Sequence, residues 1–284
     1  MRIGLFPVYG LLLLAAGCAG NQPVWLTPPL RQSTVVPAAG AMSDADVSRE
    51  ADRLRGALLL EVPQHTIGTA DGDRAWIARA KAVIDAAPMT IDRVQLLVVV
   101  DRDTAVQELR IILARPDAPW QVIGGGKVST GQAGRHGYFI TPVGVFLHTD
   151  AILDYRALGT FNENHIRGLG LRGMRVWDFG WQTAARGWHV ERDQAEIRLE
   201  MHATDPDYLE QRLGHAASEG CVRVSATMNR YLDLHGVLDA DYEPAALTDP
   251  RFRGVLRSER EPTPLAGNAM VVVDSSQVDS ITAP

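Results

Sequence analysis

His202 and Cys221 stand nineteen positions apart in the stretch Met201 to Arg223, M-H-A-T-D-P-D-Y-L-E-Q-R-L-G-H-A-A-S-E-G-C-V-R. A thiol attacks as its thiolate, and an imidazole or a helix N-terminus beside it favours that anion. The implied chemistry is that of a Cys/His pair, with Cys221 as the nucleophile. Ala195 to Met201 alternates apolar and polar residues, the pattern of a half-buried strand, so His202 is expected at a strand's end. Asp205 to Leu213 reads as a helical turn or two. Ser218-Glu219-Gly220-Cys221 is a small-residue turn, and Ser225 to Leu234 is a helix with Ser225 as N-cap and Gly236 just past its end. Cys221 is therefore expected shortly before a helix N-terminus. Gly220 lets backbone approach a substrate, so the N–H groups of Gly220 and Cys221 can form an oxyanion hole. Arg223, two residues beyond the thiol in an extended segment, can hold a substrate carboxylate or form a structural ion pair. Ser218 either orients His202 or caps the turn.

The chain has 284 residues, 46% of them hydrophobic and 22% charged, enough for one large domain with appendages. A net charge of -6 without a basic stripe argues against nucleic-acid binding. The other histidines show no HExxH or similar ligand spacing, and neither a phosphate loop nor a GxSxG elbow occurs, which disfavours zinc hydrolase, nucleotide and serine hydrolase chemistry. No metal and no cofactor is implied.

Arg2, the apolar run Leu11 to Ala16 and Ala15-Ala16-Gly17-Cys18 resemble a bacterial lipoprotein signal peptide, removed as residues 1–17 and followed by lipidation of Cys18. The apolar run is too short to span a bilayer. By the same resemblance, Ala19 lacks the aspartate of inner-membrane retention, which implies a lipid anchor at the periplasmic face of the outer membrane. Cys221 is then the only thiol of the mature chain, so no intramolecular disulfide can form. An unpaired thiol in an oxidising compartment, set among Ser218, Gly220 and Arg223, reads as reactive.

The elements upstream fall into an order. Residues 18–42 read as a tether from the anchor. Ser43-Asp44 starts a helix with Val47, Ala51, Leu54 and Leu58 on one face, and a second runs from about Gly72 to Ala86 with Trp76, Ile77, Ala80, Val83 and Ile84 apolar. These make a helical extension over 43–90 that packs on the following sheet. Leu96 to Val100, Val106 to Ala114 and Gln121 to Ser129 read as antiparallel strands. Ala151 to Trp188 lacks clean periodicity and reads as a long connection, in which Trp177, Trp181 and Trp188 form a substrate wall or anchor the loop by packing. Residues 245–284 read as a C-terminal extension, with Met270 to Val273 a last strand and Ser275 to Pro284 disordered.

On these residues the chain resembles the L,D-transpeptidase catalytic domain (YkuD-type) family. The family motif is a His, a spacer, Ser or Thr, usually His, then Gly, Cys, an apolar residue, and Asn or Arg. Here fifteen residues, Ala203 to Ala217, separate His202 from Ser218-Glu219-Gly220-Cys221-Val222-Arg223. Leu213-Gly214 matches a pair that often precedes the Ser. Val128-Ser129-Thr130-Gly131 and Thr141-Pro142-Val143-Gly144-Val145-Phe146 resemble the family's VSTG and TPxGxF segments. Two positions depart: Glu219 replaces the usual His, and Ala203 the Gly that usually follows the catalytic His. A carboxylate aimed inward at Glu219 would disfavour the thiolate.

The resemblance implies a mainly β, β-sandwich-like catalytic domain over 91–244 with a few helices, beside the N-terminal helical extension. It implies acyl transfer on peptidoglycan stem peptides, donor and acceptor. In that reaction, as the resemblance implies it, Cys221 attacks a diamino-acid carbonyl at its L-centre with His202 as base and then acid, terminal D-alanine leaves, and an acceptor amine resolves the thioester. The alternatives are an L,D-carboxypeptidase or hydrolase on the same substrates, or a non-catalytic peptidoglycan-binding lipoprotein.

Overall fold

The computed structural model describes residues 42–189 and 193–278. The leader, Cys18 and all of the tether but Met42 lie outside the described residues. In chain order the elements are α1 (Asp44–Glu61), β1 (His65–Thr66), α2 (Ala70–Asp85), β2 (Gln95–Asp101), β3 (Glu108–Ala114), β4 (Gln121–Lys127), β5 (Phe139–Ile140), β6 (Gly144–Leu147), β7 (Tyr155–Arg156), β8 (Arg175–Arg186), β9 (Gln194–Ala203), β10 (Val222–Val224), α3 (Ala226–Leu234), α4 (Tyr242–Thr248), α5 (Pro250–Val255), β11 (Ala269–Val273) and α6 (Ser275–Val278). Eleven strands in two sheets and six helices among the described residues make a mixed α/β architecture with no closed barrel.

The first sheet has the order β1-β4-β3-β2-β11-β6. Every residue of β2 is buried, because both faces of this sheet are covered. Leu96, Val98 and Val100 face one core together with Leu109, Ile111, Met270 and Val272. Leu97 and Val99 face the other core, against Trp76, Ala80 and Ile84 of α2. The antiparallel pairing of β2, β3 and β4 follows the short connections between them. The second sheet runs β10-β9-β8-β5, with β7 also paired to β8. Its Trp177, Phe179, Leu199, Met201, Val222 and Val224 enter the same core as β2 and β11, so one apolar layer backs both sheets.

Among the described residues, α1 and β11 are both built into the core. Helix α1 sends Val47, Ala51, Leu54 and Leu58 into that shared core, and Ser43 caps it in a reciprocal box with Asp46. Strand β11, in the stretch that reads from sequence as a C-terminal extension, pairs parallel with β2 and antiparallel with β6 inside the first sheet. Its uninterrupted Ala-Met-Val-Val-Val run is the composition of a strand buried on both faces. Residues 275–278, expected to be disordered, form the short helix α6.

The Ala151 to Trp188 stretch is not one long connection. Twelve of its residues form β8, and the alternation is lost because the register slips between Asp178 and Trp181, where Gly180 has φ +76°. Trp177 is core, whereas Trp181 is 63% exposed.

At the start of β8, Arg175 is fully buried and binds three carboxylates: Asp154 at 2.8 Å, Asp239 at 3.0 Å and Asp233 at 3.4 Å. Arg156 adds a 2.8 Å pair to Asp233, Arg260 one of 3.0 Å to Asp239, and His148 bonds Asp154 at 2.9 Å. This network ties β7 and β8 to α3 and to the loop before α4.

Candidate active site

Strand β9 alternates as its sequence requires. Leu199 and Met201 enter the core, which leaves Arg198, Glu200 and His202 on the opposite face. Strand β10 lies parallel to it, with Val222 beside Met201 and Arg223 beside His202. One step back, Cys221 comes alongside Glu200. Eighteen intervening residues thus fold back to bring thiol and imidazole to adjacent strands.

His202 is buried, and its Nδ1 lies 2.7 Å from the carbonyl of Ala203. That carbonyl can only accept, so Nδ1 carries the proton and Nε2 keeps its lone pair. Burial drives the imidazole's pKa down to about 4, against the pull of the Ala203 carbonyl, and the charge of Arg223 works in the same direction as burial. The ring is a neutral base at neutral pH.

Cys221 is half-buried and donates from Sγ to the Arg198 carbonyl at 3.6 Å. Although solvent reaches the sulfur, the protein packed around it pushes the pKa up to about 11, with the Glu200 carboxylate adding to the rise and Arg223 opposing it. The expected helix N-terminus does not relieve this: β10 separates Cys221 from α3, and a helix dipole fades within a turn. The resting pair is therefore neutral thiol and neutral imidazole. Alkylation by iodoacetamide is expected to speed up about tenfold per pH unit between about pH 7 and about pH 9.5, without a plateau. A plateau below neutrality would reveal a thiolate–imidazolium pair instead.

Ser218 is buried and closes the turn. Its hydroxyl donates to the Cys221 carbonyl at 2.6 Å and accepts from the Gly220 N–H at 3.1 Å. Two expectations are decided by these bonds. Ser218 caps the turn rather than orienting His202, and the Gly220 N–H is spent inside the turn and is no free oxyanion donor. Gly220 is required for a different reason: its φ is +134°, and a Cβ there would sit 2.9 Å from Ile197 Cδ1.

The two upstream motif segments hold this turn in place. Ser129 exchanges backbone bonds of 2.9 Å with Arg223, and the Thr130 carbonyl accepts from the N–H groups of Ala217 and Ser218. Thr141 Oγ1 donates to the Gly220 carbonyl at 2.7 Å and accepts from Gly131 N–H at 2.9 Å. At Gly131 a Cβ would meet the Phe139 carbonyl at 2.0 Å, so the segment's glycine is a close-approach requirement.

Arg223 donates from Nη1 to the Ala217 carbonyl at 3.3 Å, while its buried Nε has no hydrogen-bond partner. Among the described residues it makes no ion pair with a carboxylate. Glu219, at the family's usual His position, is exposed, and its charge still adds a lesser push to the rise of the Cys221 pKa while favouring the charged form of Arg223. Ala203 is buried, and Gly170, at φ +83°, gives its methyl room: a Cβ at 170 would lie 2.7 Å from it.

The chain matches no protein-family model and no curated protein sequence.

The site also holds residues that the motif does not mark. Glu200 is half-buried and accepts from the Tyr155 hydroxyl at 2.8 Å, and burial raises its pKa. Asp178 grips the Arg198 guanidinium through Nε and Nη2 at 2.6–3.0 Å. Trp188 packs edge-on against Phe139 at 5.3 Å, beside the Gly220 turn. Alternation counted back from His202 puts Glu200 and Arg198 on its face, a signal present in the sequence. Tyr155 carried none.

Proposed function

We propose that this chain is an L,D-transpeptidase-type acyl transferase acting on peptidoglycan stem peptides. The observation that carries the reading is the parallel register of β9 and β10, which sets Cys221 and Arg223 beside Glu200 and His202 with the His202 tautomer fixed by the Ala203 carbonyl. Two sheets backed by one apolar layer support a sandwich-like catalytic fold of that family.

In this reading Nε2 of His202 takes the thiol proton as Sγ attacks the carbonyl at the L-centre of the diamino acid. The proton passes to the departing D-alanine amine, and the acyl group stays on sulfur as a thioester. An acceptor amine then forms the new amide and frees the thiol. Arg223, with an unpaired buried Nε and no carboxylate ion-pair partner among the described residues, fits a substrate carboxylate. Phe139 and Trp188, packed beside the Gly220 turn, are placed to meet the substrate there. The leader's resemblance supports attachment through Cys18 to the outer membrane, with the site facing the wall.

The test is intact-mass and peptide-mapping analysis of the full chain in detergent, incubated with a carbapenem and, separately, with disaccharide-tetrapeptides. An adduct mapped to Cys221 and cross-linked muropeptides are the expected results. Trimmed tripeptides alone would make the protein a carboxypeptidase. An unmodified thiol with intact muropeptides would overturn the enzymatic reading in favour of wall binding.

A further inference from the structure

A carboxylate beside a nucleophilic thiol is costly for the first half of such a reaction, because it disfavours the thiolate. Glu200 is such a carboxylate. It lies alongside Cys221 in the strand register and shares a face with His202. It is half-buried, and the cation that acts on it, Arg198, does so without a direct ion pair and does not cancel the rise that burial imposes. Arg198, two residues away, is committed to Asp178 through Nε and Nη2. Arg223 faces His202 and donates to a backbone carbonyl.

The side chain is also held. The Tyr155 hydroxyl donates to Oε1 at 2.8 Å. Tyr155 follows Asp154, whose carboxylate is gripped by Arg175 and His148 and accepts from the Asp178 N–H at 3.0 Å. A buried ionic network thus fixes the residue next to the one that orients Glu200. A carboxylate without a direct ion-pair partner among the described residues, fixed at this spot, has a use in the second half-reaction.

Resting on the acyl-transfer reading above, we infer that Glu200, oriented by Tyr155, is the acceptor-specificity residue, receiving the primary ammonium of the incoming acyl acceptor beside the Cys221 thioester. The ammonium first gives one proton to the Glu200 carboxylate, which passes it to solvent. The neutral amine nitrogen then bonds to the thioester carbon, and the C–S bond breaks. A second proton moves from that nitrogen through Nε2 of His202 to sulfur, and the third stays on the new amide. Tyr155 is a positioning residue in this scheme, and Arg223 keeps its separate role toward a carboxylate.

A competition between acceptors tests it. The full chain is acylated with a disaccharide-tetrapeptide and offered cadaverine, a dication at about pH 7.5, together with hydroxylamine, which is neutral there. Amide and hydroxamate products are counted by mass. Glu200→Gln is expected to lower the amide-to-hydroxamate ratio about tenfold, because a charge-assisted contact to the cationic acceptor is lost. Tyr155→Phe is expected to lower it about threefold, by loosening the carboxylate. An unchanged ratio in Glu200→Gln, including an equal loss of both products, would overturn the inference while leaving the acyl-transfer reading intact. Should the unsubstituted chain form neither product and release no D-alanine, that reading fails and the inference fails with it.

Discussion

Cys221→Ala is expected to form no acyl adduct at all, and His202→Ala to form it about 10²–10⁴ times more slowly than the unsubstituted chain. The two losses differ because the two side chains supply different things. In the proposed reaction Sγ is the atom that becomes acylated, and no other thiol lies among the described residues. His202 supplies a lone pair, and with the thiol pKa pushed up to about 11 little spontaneous thiolate exists at neutral pH to replace it. The deficit of His202→Ala should therefore shrink as pH rises toward the thiol's own pKa, whereas that of Cys221→Ala should not. Stopped-flow trapping with a carbapenem at several pH values measures both. A His202→Ala chain that acylates at the normal rate near neutrality would show that another group takes the proton.

Arg175→Met is expected to cost about 3–5 kcal/mol of folding stability, read as the midpoint shift in urea denaturation. Arg175 sits among Asp154, Asp233 and Asp239, all with at most 1% side-chain exposure. Methionine fills the volume but leaves three carboxylates with weakened compensation in a medium that solvates them poorly. Arg156 remains on both oxygens of Asp233, Arg260 on one of Asp239 and His148 on one of Asp154, which is why the cost is not larger. A shift under about 1 kcal/mol would mean that those neighbours absorb the charge by themselves.

Local pattern made the helices legible. The face Val47, Ala51, Leu54, Leu58 is the buried face of α1, and Ser225 caps α3 by accepting from the Met228 N–H. Pairing over long separations was not legible: nothing in Ala269–Val273 says that its neighbours are β2 and β6. β8 was hidden because a bulge and a positive-φ glycine break its alternation. At the site, residue types and spacing marked Cys221, His202 and the turn glycine. They could not reveal that Ser218 consumes the Gly220 N–H, a matter of hydrogen-bond geometry inside four residues. Nor could they attach Tyr155 to Glu200, forty-five positions on, since that contact exists only once β7 and β9 flank β8.

The position of β11 bears on how the chain acquires its shape. Strand β6 ends at Leu147 and β11 begins at Ala269, so roughly 120 residues must be gathered before that pairing closes, a demand that slows folding. A polypeptide emerging amino end first exposes the edges of β2 and β6 throughout, with Met270 and Val272 still missing from the layer that backs the second sheet. Assembly is concerted as a result. A nascent fragment that already contains Cys221 and His202 lacks Met270 and Val272 from the apolar layer beneath them, and that layer is complete only once the late strand takes its place in the middle of the first sheet.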